Sequence, residues 1–328
     1  MKAVRFARFG TPSEVVEIVD LPEPAAPGPG AALIEIEACP INPADLLSMA
    51  GRYAVRPKLP AGIGAEGVAR VLSVGEGVGH IKKDDRVLTM GFRESWRQRA
   101  VVPAAPLFAL PNAIDPLQLA MLKINPPTAW AMLNRFVELA PGDWIVQNAA
   151  NSGVGHAVIK LAAAKGLRSV NVVRRWHVQA NLRAEGANAV IVDGADLAEQ
   201  IVAATGGAPV KLALDAIGGP ATMRMAKTLT EGGVLINYGL LSGEPCAIDS
   251  HDLIFRDIAL RGFWLSQWLN ETGADEIRAV YDQLADMIGE GAIHVAIEAS
   301  YPFARIREAL HHAEREGRGG KILLLPNA

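Results

Sequence analysis

Apolar and polar residues alternate with a period of two through the first third of the chain. Lys2-Ala3-Val4-Arg5-Phe6 opens in that rhythm, Leu33-Ile34-Glu35-Ile36-Glu37 repeats it, and Val68 to Val74 and Asp84 to Val87 follow. Turns rich in proline and glycine separate these runs; Pro22 to Gly30 is one connector and Gly75-Glu76-Gly77 another. Short strands between such turns predict a compact β-rich unit over roughly the first 110 residues.

Beyond Pro111 the period changes. Helical spacing extends from Pro116 to about Val137, and Pro141-Gly142-Asp143 turns the chain into Trp144-Ile145-Val146-Gln147-Asn148. Strand-like runs recur at Ser169–Val173, Ala189–Val192, Lys211–Asp215 and Val234–Tyr238. Helical stretches of roughly 10 to 15 residues lie between them, which predicts an α/β fold built on a Rossmann-type, doubly wound parallel sheet. Past Leu265 come an amphipathic helix from Asp275 to Gly289, a strand, a helix around Ala304 to Glu316 and a final strand Lys321–Leu325.

Length and composition narrow the function classes. The 328 residues correspond to about two domains of ~150 residues. With 32 basic against 35 acidic residues the formal charge is −3, which argues against nucleic acid or an anionic membrane as a partner. Two cysteines, Cys39 and Cys246, build neither a disulfide framework nor a four-cysteine zinc site. The chain begins in a strand-like rhythm rather than a signal-peptide core, and no run of about 18 apolar residues occurs, so a cytoplasmic location is expected.

The segment Trp144 to His156 carries the most chemistry. A buried strand, a turn of small residues and a helix from Ala157 to Lys165 form the first βα unit of a dinucleotide site. There the backbone approaches a pyrophosphate and the helix N-terminus stabilises its charge. Ala150 and Ser152 stand where the first two glycines of a G-x-G-x-x-G turn fall, Gly155 takes the third place, and Gly153 is extra. About 20 residues on, where NAD sites place an acid, the chain has Arg174-Arg175, which favours the 2′-phosphate of NADPH. An unliganded turn and two solvated arginines are the plain alternatives.

Together the two halves resemble the medium-chain dehydrogenase/reductase superfamily over essentially the whole chain. Its zinc alcohol dehydrogenases have a catalytic Cys and a Gly-His-Glu motif, where this sequence has Asn42 and Gly64-Ala65-Glu66. The resemblance is therefore to the zinc-free branch, with no metal implied. Ile41-Asn42-Pro43-Ala44-Asp45, Gly51-Arg52-Tyr53, Asn125 to Trp130, Gln147 to Gly155, Asn171 to Arg174 and Leu260 to Trp268 resemble mitochondrial-type trans-2-enoyl-CoA/ACP reductases most.

That resemblance implies a split, GroES-like catalytic domain over 1–118 and 265–328 around a Rossmann NADPH-binding domain over 119–264. It implies NADPH contacts from Asn125, from Asn151, Ser152, Gly153, Val154 and Gly155, and from Arg174 and Arg175. The same carry-over covers Tyr238, Gly239, Leu240 and Leu241, then Phe263, Trp264 and Leu265, and finally Lys321. Tyr53 matches the proton donor, and a homodimer acting on enoyl-CoA or enoyl-ACP thioesters is implied. Two departures stand out. Trp176 replaces a further basic residue, and Phe92-Arg93-Glu94-Ser95 replaces a glycine-rich segment before Trp96. The chain shows no N-terminal extension, so no mitochondrial address is expected.

Reducing an enoyl thioester takes a hydride at C3, a proton at C2 and donors for the enolate charge that develops on the thioester oxygen. A phenol with a pKa of about 10 is still protonated at neutral pH, so Tyr53 suits the proton-donor role. Asn42 orients the tyrosine or the substrate, or simply forms a turn before Pro43. Trp264 and Trp268 read as pocket wall or core, and the seven histidines as isolated and solvated. Two other readings stay open: an NADPH:quinone or enone reductase of the same branch, and a non-catalytic NADPH-binding protein.

Overall fold

In the computed structural model, which describes all of residues 1–328, the period-two runs become strands. β1 (Lys2–Phe6) leads through a one-turn helix α1 (Pro12–Val15) into β2 (Val16–Asp20), which pairs with it antiparallel. In β3 (Ala31–Pro40) Ala32, Ile34, Ile36 and Ala38 all face the core, whereas Glu35 and Glu37 face outward. There Glu37 binds Arg70 at 2.7 Å and Arg86 at 2.6 Å, so the acidic half of the alternation is satisfied by bases on the neighbouring strands. The chain continues through α2 (Pro43–Met49), β4 (Ala61–Gly62), β5 (Val68–Val74), β6 (Arg86–Leu88), β7 (Arg99–Pro103), β8 (Phe108–Leu110) and α3 (Pro116–Leu119).

The single helix expected over 116–137 is two helices. α3 ends at Leu119, and α4 (Asn125–Arg135) starts afresh, because Pro126 and Pro127 have no N–H to donate to a preceding turn and fit only a first helical turn. Then come β9 (Trp144–Gln147), α5 (Gly153–Ala164), β10 (Arg168–Val173), α6 (Gln179–Ala184), β11 (Ala189–Val192) and α7 (Leu197–Thr205). β12 (Val210–Asp215), α8 (Pro220–Lys227), β13 (Val234–Asn237), α9 (Ser250–Phe255), β14 (Ala259–Gly262) and α10 (Leu265–Glu271) complete this part. The six strands are all parallel, in the order β11-β10-β9-β12-β13-β14. The order reverses direction between β9 and β12, and such a switch point opens a crevice at the carboxyl ends of the strands.

The last third adds α11 (Ala274–Gly289), β15 (Ile297–Pro302), α12 (Ile306–Glu314) and β16 (Lys321–Leu325). β16 returns to β3, with Leu324 opposite Cys39 and Leu323 opposite Pro40. A seven-stranded sheet, β15-β16-β3-β5-β6-β8 with β7 also on β3, is thereby closed by the two ends of the chain. Two compact units result, 1–124 with 278–328, and 125–277. α10 lies in the second, where Trp268 packs on Trp130 of α4 with ring centroids 6.1 Å apart. No helix is long and apolar enough to cross a membrane.

Candidate active site

In the second unit, β9 ends at Gln147 and the chain climbs through a tight turn into α5. Ala149 takes a left-handed φ of 46°, and Ser152 caps the helix by accepting the Gly155 N–H at 3.1 Å. Gly155 is required sterically: a Cβ there would lie 2.4 Å from the Ala150 carbonyl oxygen. Helix and turn thus pack closely enough to leave the first N–H groups of α5 for an anion. Gly239, in the loop after β13, is held to the same limit by Ala216, whose carbonyl oxygen would be 2.3 Å from a Cβ.

Below this turn the buried Asp215 carboxylate accepts from Asn148 Nδ2 at 2.6 Å, from Thr222 Oγ1 at 2.6 Å and from the Ile217 and Gly218 N–H groups. Asn148 Oδ1 in turn accepts the Ala216 N–H at 2.8 Å. These bonds fasten the ends of β9 and β12 to each other across the switch point. The loop Tyr238–Leu241 is hung from the same place, with the Tyr238 and Leu241 N–H groups on the carbonyls of Asp215 and Ala216.

Most of the residues expected to bind cofactor therefore share one edge of the sheet. Asn151 to Gly155 follow β9, Arg174 and Arg175 follow β10, Tyr238 to Leu241 follow β13, and Phe263 to Leu265 follow β14. Asn125 opens α4, and its Nδ2 is buried with no hydrogen-bond partner. The Tyr238 hydroxyl beside Ser152 likewise makes no hydrogen bond of good geometry, and burial pushes its pKa far above the ordinary tyrosine value. An orphaned Tyr238 hydroxyl after β13, an unpartnered Asn125 amide at the start of α4, a capped glycine turn and two arginines where an acid would select NADH fit NADPH.

Lys321 is placed differently. It opens β16 in the first unit, buried, and its ammonium donates to Asn42 Oδ1. Asn42 is the N-cap of α2; its own N–H donates to Asp45 Oδ2 at 2.9 Å and its Nδ2 to Glu66 Oε2 at 2.8 Å. Glu66 Oε1 accepts the Ile124 N–H at 2.7 Å, and Asp45 Oδ1 the Ala65 N–H at 3.1 Å. The Asn42 amide thus bonds Glu66 through its Nδ2 and Lys321 through its Oδ1.

Asp45, Glu66, Lys321 and the neighbouring Lys123 are all buried, and each is shifted towards its neutral form. Burial pushes Asp45 up to about 6 against the N–H groups of Asn42 and Ala65, and pushes Glu66 up against Lys321. It pulls Lys123 down to about 8 and lowers Lys321 as well, in both cases against Glu66. Two carboxylates and two ammonium groups cancel, which is how four buried charges are tolerated. A lone lysine in each of the apolar stretches Leu119–Ile124 and Lys321–Leu325 was the available sequence signal; their partners lie too far off along the chain to be read.

Tyr53 is half-buried in the loop after α2. Gly51 ends that helix at φ 70°, with the Phe9 ring 3.0 Å from where a Cβ would sit, and the Tyr53 N–H reaches Leu47 O at 3.2 Å. The tight turn expected before the tyrosine is present. The histidines correct their expectation. His156 pairs with Glu185 at 2.5 Å, and His312 lies between Glu298 at 2.6 Å and the Tyr301 hydroxyl at 2.8 Å. His80 reaches Ala104 O at 3.0 Å. These partners come from other elements, so spacing along one helix could not reveal them.

A dinucleotide crevice with arginines in place of the ribose acid defines an NADPH-dependent oxidoreductase. Residues 28–112 match the family model Alcohol dehydrogenase GroES-like domain, and 153–280 match Zinc-binding dehydrogenase. The mitochondrial enoyl-[acyl-carrier-protein] reductase of Dictyostelium discoideum is 35% identical over 331 residues, 98% of this chain and 94% of its own. Among solved structures, a Pseudomonas syringae quinone oxidoreductase superposes with a TM-score of 0.87 at 27% identity, over 99% of each chain. The mitochondrial 2-enoyl thioester reductase Etr1p/Etr2p heterodimer of Candida tropicalis gives 0.86 at 25%, again over 99% of each. The chain belongs to the medium-chain dehydrogenase/reductase superfamily, and within it to the family of mitochondrial-type enoyl-[acyl-carrier-protein] reductases.

The zinc in the name of one family model does not suit this donor set. Asn42 and Ala65 stand at the ligand positions, two ammonium groups face Glu66, and no three His, Cys, Asp or Glu side chains converge.

Proposed function

We infer that the protein reduces the C2=C3 bond of 2-enoyl thioesters with NADPH, the acyl group being carried on CoA or on an acyl carrier protein. The observation that carries the reading is the likeness to enoyl-[acyl-carrier-protein] reductases, which extends through both units. NADPH, when bound, supplies the hydride. The α5 N-terminus and the Ser152–Gly155 turn receive its pyrophosphate, and Arg174 with Arg175 its 2′-phosphate. Tyr53 supplies the proton to C2.

A quinone reductase of the same branch is the second reading, favoured by the structural likeness at 27% identity. NADPH oxidation with crotonyl-CoA and longer enoyl-CoAs, run beside 1,4-benzoquinone, separates the two. Thioester turnover that depends on chain length is expected, and turnover of the quinone alone would replace the first reading by the second. Assembly as a homodimer is part of the proposal: β14 has an unpaired edge, and Leu253, Ile254 and Phe255 of α9 are exposed.

A further inference from the structure

Among the buried charges of the first unit, Lys123 is bonded unlike the others. Its Nζ donates to Ala65 O and Thr89 O at 2.7 Å each and to Phe92 O at 2.9 Å. An ammonium has three protons, and here all three go to backbone carbonyls, none to a carboxylate. Glu66, which attracts it through space, spends its oxygens on Asn42 and the Ile124 N–H instead. Three carbonyl oxygens converging on one positive centre is how main chain surrounds a dehydrated monovalent cation.

The carbonyls belong to two irregular segments. One is 63–67, between β4 and β5; the other is 89–96, between β6 and β7. They are tied to each other by the Ser95 N–H on Gly64 O at 3.0 Å, Ser95 Oγ on Glu66 O at 2.6 Å and the Thr89 N–H on Gly67 O at 3.1 Å. Lys123 comes to them from a third segment, itself anchored by the Tyr281 hydroxyl on Lys123 O at 2.7 Å. Carbonyl dipoles aimed at one point repel each other, so without a cation the hydrogen bonds between the two segments have to hold them against that repulsion and against three unsatisfied acceptors.

We propose that Lys123 is a tethered cation, a positioning residue whose ammonium fixes segments 63–67 and 89–96 against each other. Removal of its side chain would then leave a three-carbonyl site for ammonium, methylammonium or potassium. The proposal does not depend on which substrate the enzyme reduces.

The test compares Lys123→Ala and Lys123→Met with the parent at pH 7. Hydrogen exchange of the two segments and Tm are read in chlorides of methylammonium, potassium and tetramethylammonium at equal ionic strength. In both variants exchange is expected to quicken by about tenfold or more in 63–67 and 89–96. In Lys123→Ala alone, methylammonium or potassium restores protection and raises Tm, whereas tetramethylammonium, which has no N–H and is too large, does not. Parent-like protection in either variant overturns the proposal, as does an equal response to all three salts. If Lys123→Ala yields no soluble protein, refolding yield is compared in the same salts, and equal yields overturn it too.

Discussion

An aspartate and an arginine differ by two units of charge at neutral pH, and only the arginine offers a phosphate a fork of parallel donors. Exchange of one for the other beside a ribose therefore acts on NADPH and hardly on NADH. Arg174→Asp is expected to weaken NADPH binding by about 100-fold, or ~3 kcal/mol, and NADH by less than about threefold, as measured by calorimetric titration. Equal losses would remove the arginines from the cofactor site. Tyr53→Phe keeps the ring and deletes the proton. We expect kcat with crotonyl-CoA to fall by at least about 100-fold with NADPH affinity unchanged, and an unaltered kcat would assign the proton to water. Both residues could be singled out in the sequence because each lies in a local motif. The bond between Lys321 and Asn42 was not legible, although each residue was singled out, since they meet across 279 positions of chain and nothing near either of them encodes the other.

Elements were legible wherever one period ran undisturbed. β11 and β16 lie where the alternation and the apolar runs put them, and the third glycine of the turn into α5 has the close contact its place implies. What periodicity could not convey is the polar wiring at the start of α2. There Asp45 is buried, and its pKa is raised from 3.8 to about 6. A carboxyl that binds its proton more tightly in the folded chain than in the unfolded one adds stability fully below pH 3.8, and this is lost as the pH rises through 6. The parent is therefore expected to lose up to about 3 kcal/mol from this group between pH 4 and 7. Asp45→Asn does not titrate, and it also leaves one of the Asn42 and Ala65 N–H groups without an acceptor, at a cost of about 1–3 kcal/mol. Urea unfolding of both proteins at four pH values in that range is expected to show the parent's advantage shrinking as the pH rises. An advantage that grows with pH would mean that Asp45 is held ionised.

At the scale of the whole molecule, the chain returns its last strand to the sheet its first hundred residues began, which the family resemblance implied and composition alone could not. The same scale poses the question of assembly. β14 closes the parallel sheet on one side and presents unpaired backbone groups on the other. On either side of this strand along the chain, Ile254 and Phe255 are 68% and 70% exposed, and Trp264 42%. An open strand edge next to large apolar side chains invites aggregation unless something covers it. In the homodimer proposed above, a second copy related by a twofold axis would cover it, because antiparallel pairing of β14 with itself would be self-complementary. Sedimentation at micromolar concentration is then expected to give a dimer of 328-residue chains. Phe255→Arg places a like charge on both sides of the axis and is expected to weaken association by about 100-fold or more, with the Tm of the dimer becoming dependent on protein concentration. Because Phe255 points away from the core, the variant's far-ultraviolet circular dichroism remains that of the parent. A parent protein that sediments as a monomer, or a Phe255→Arg variant that stays dimeric, would move the interface away from this edge.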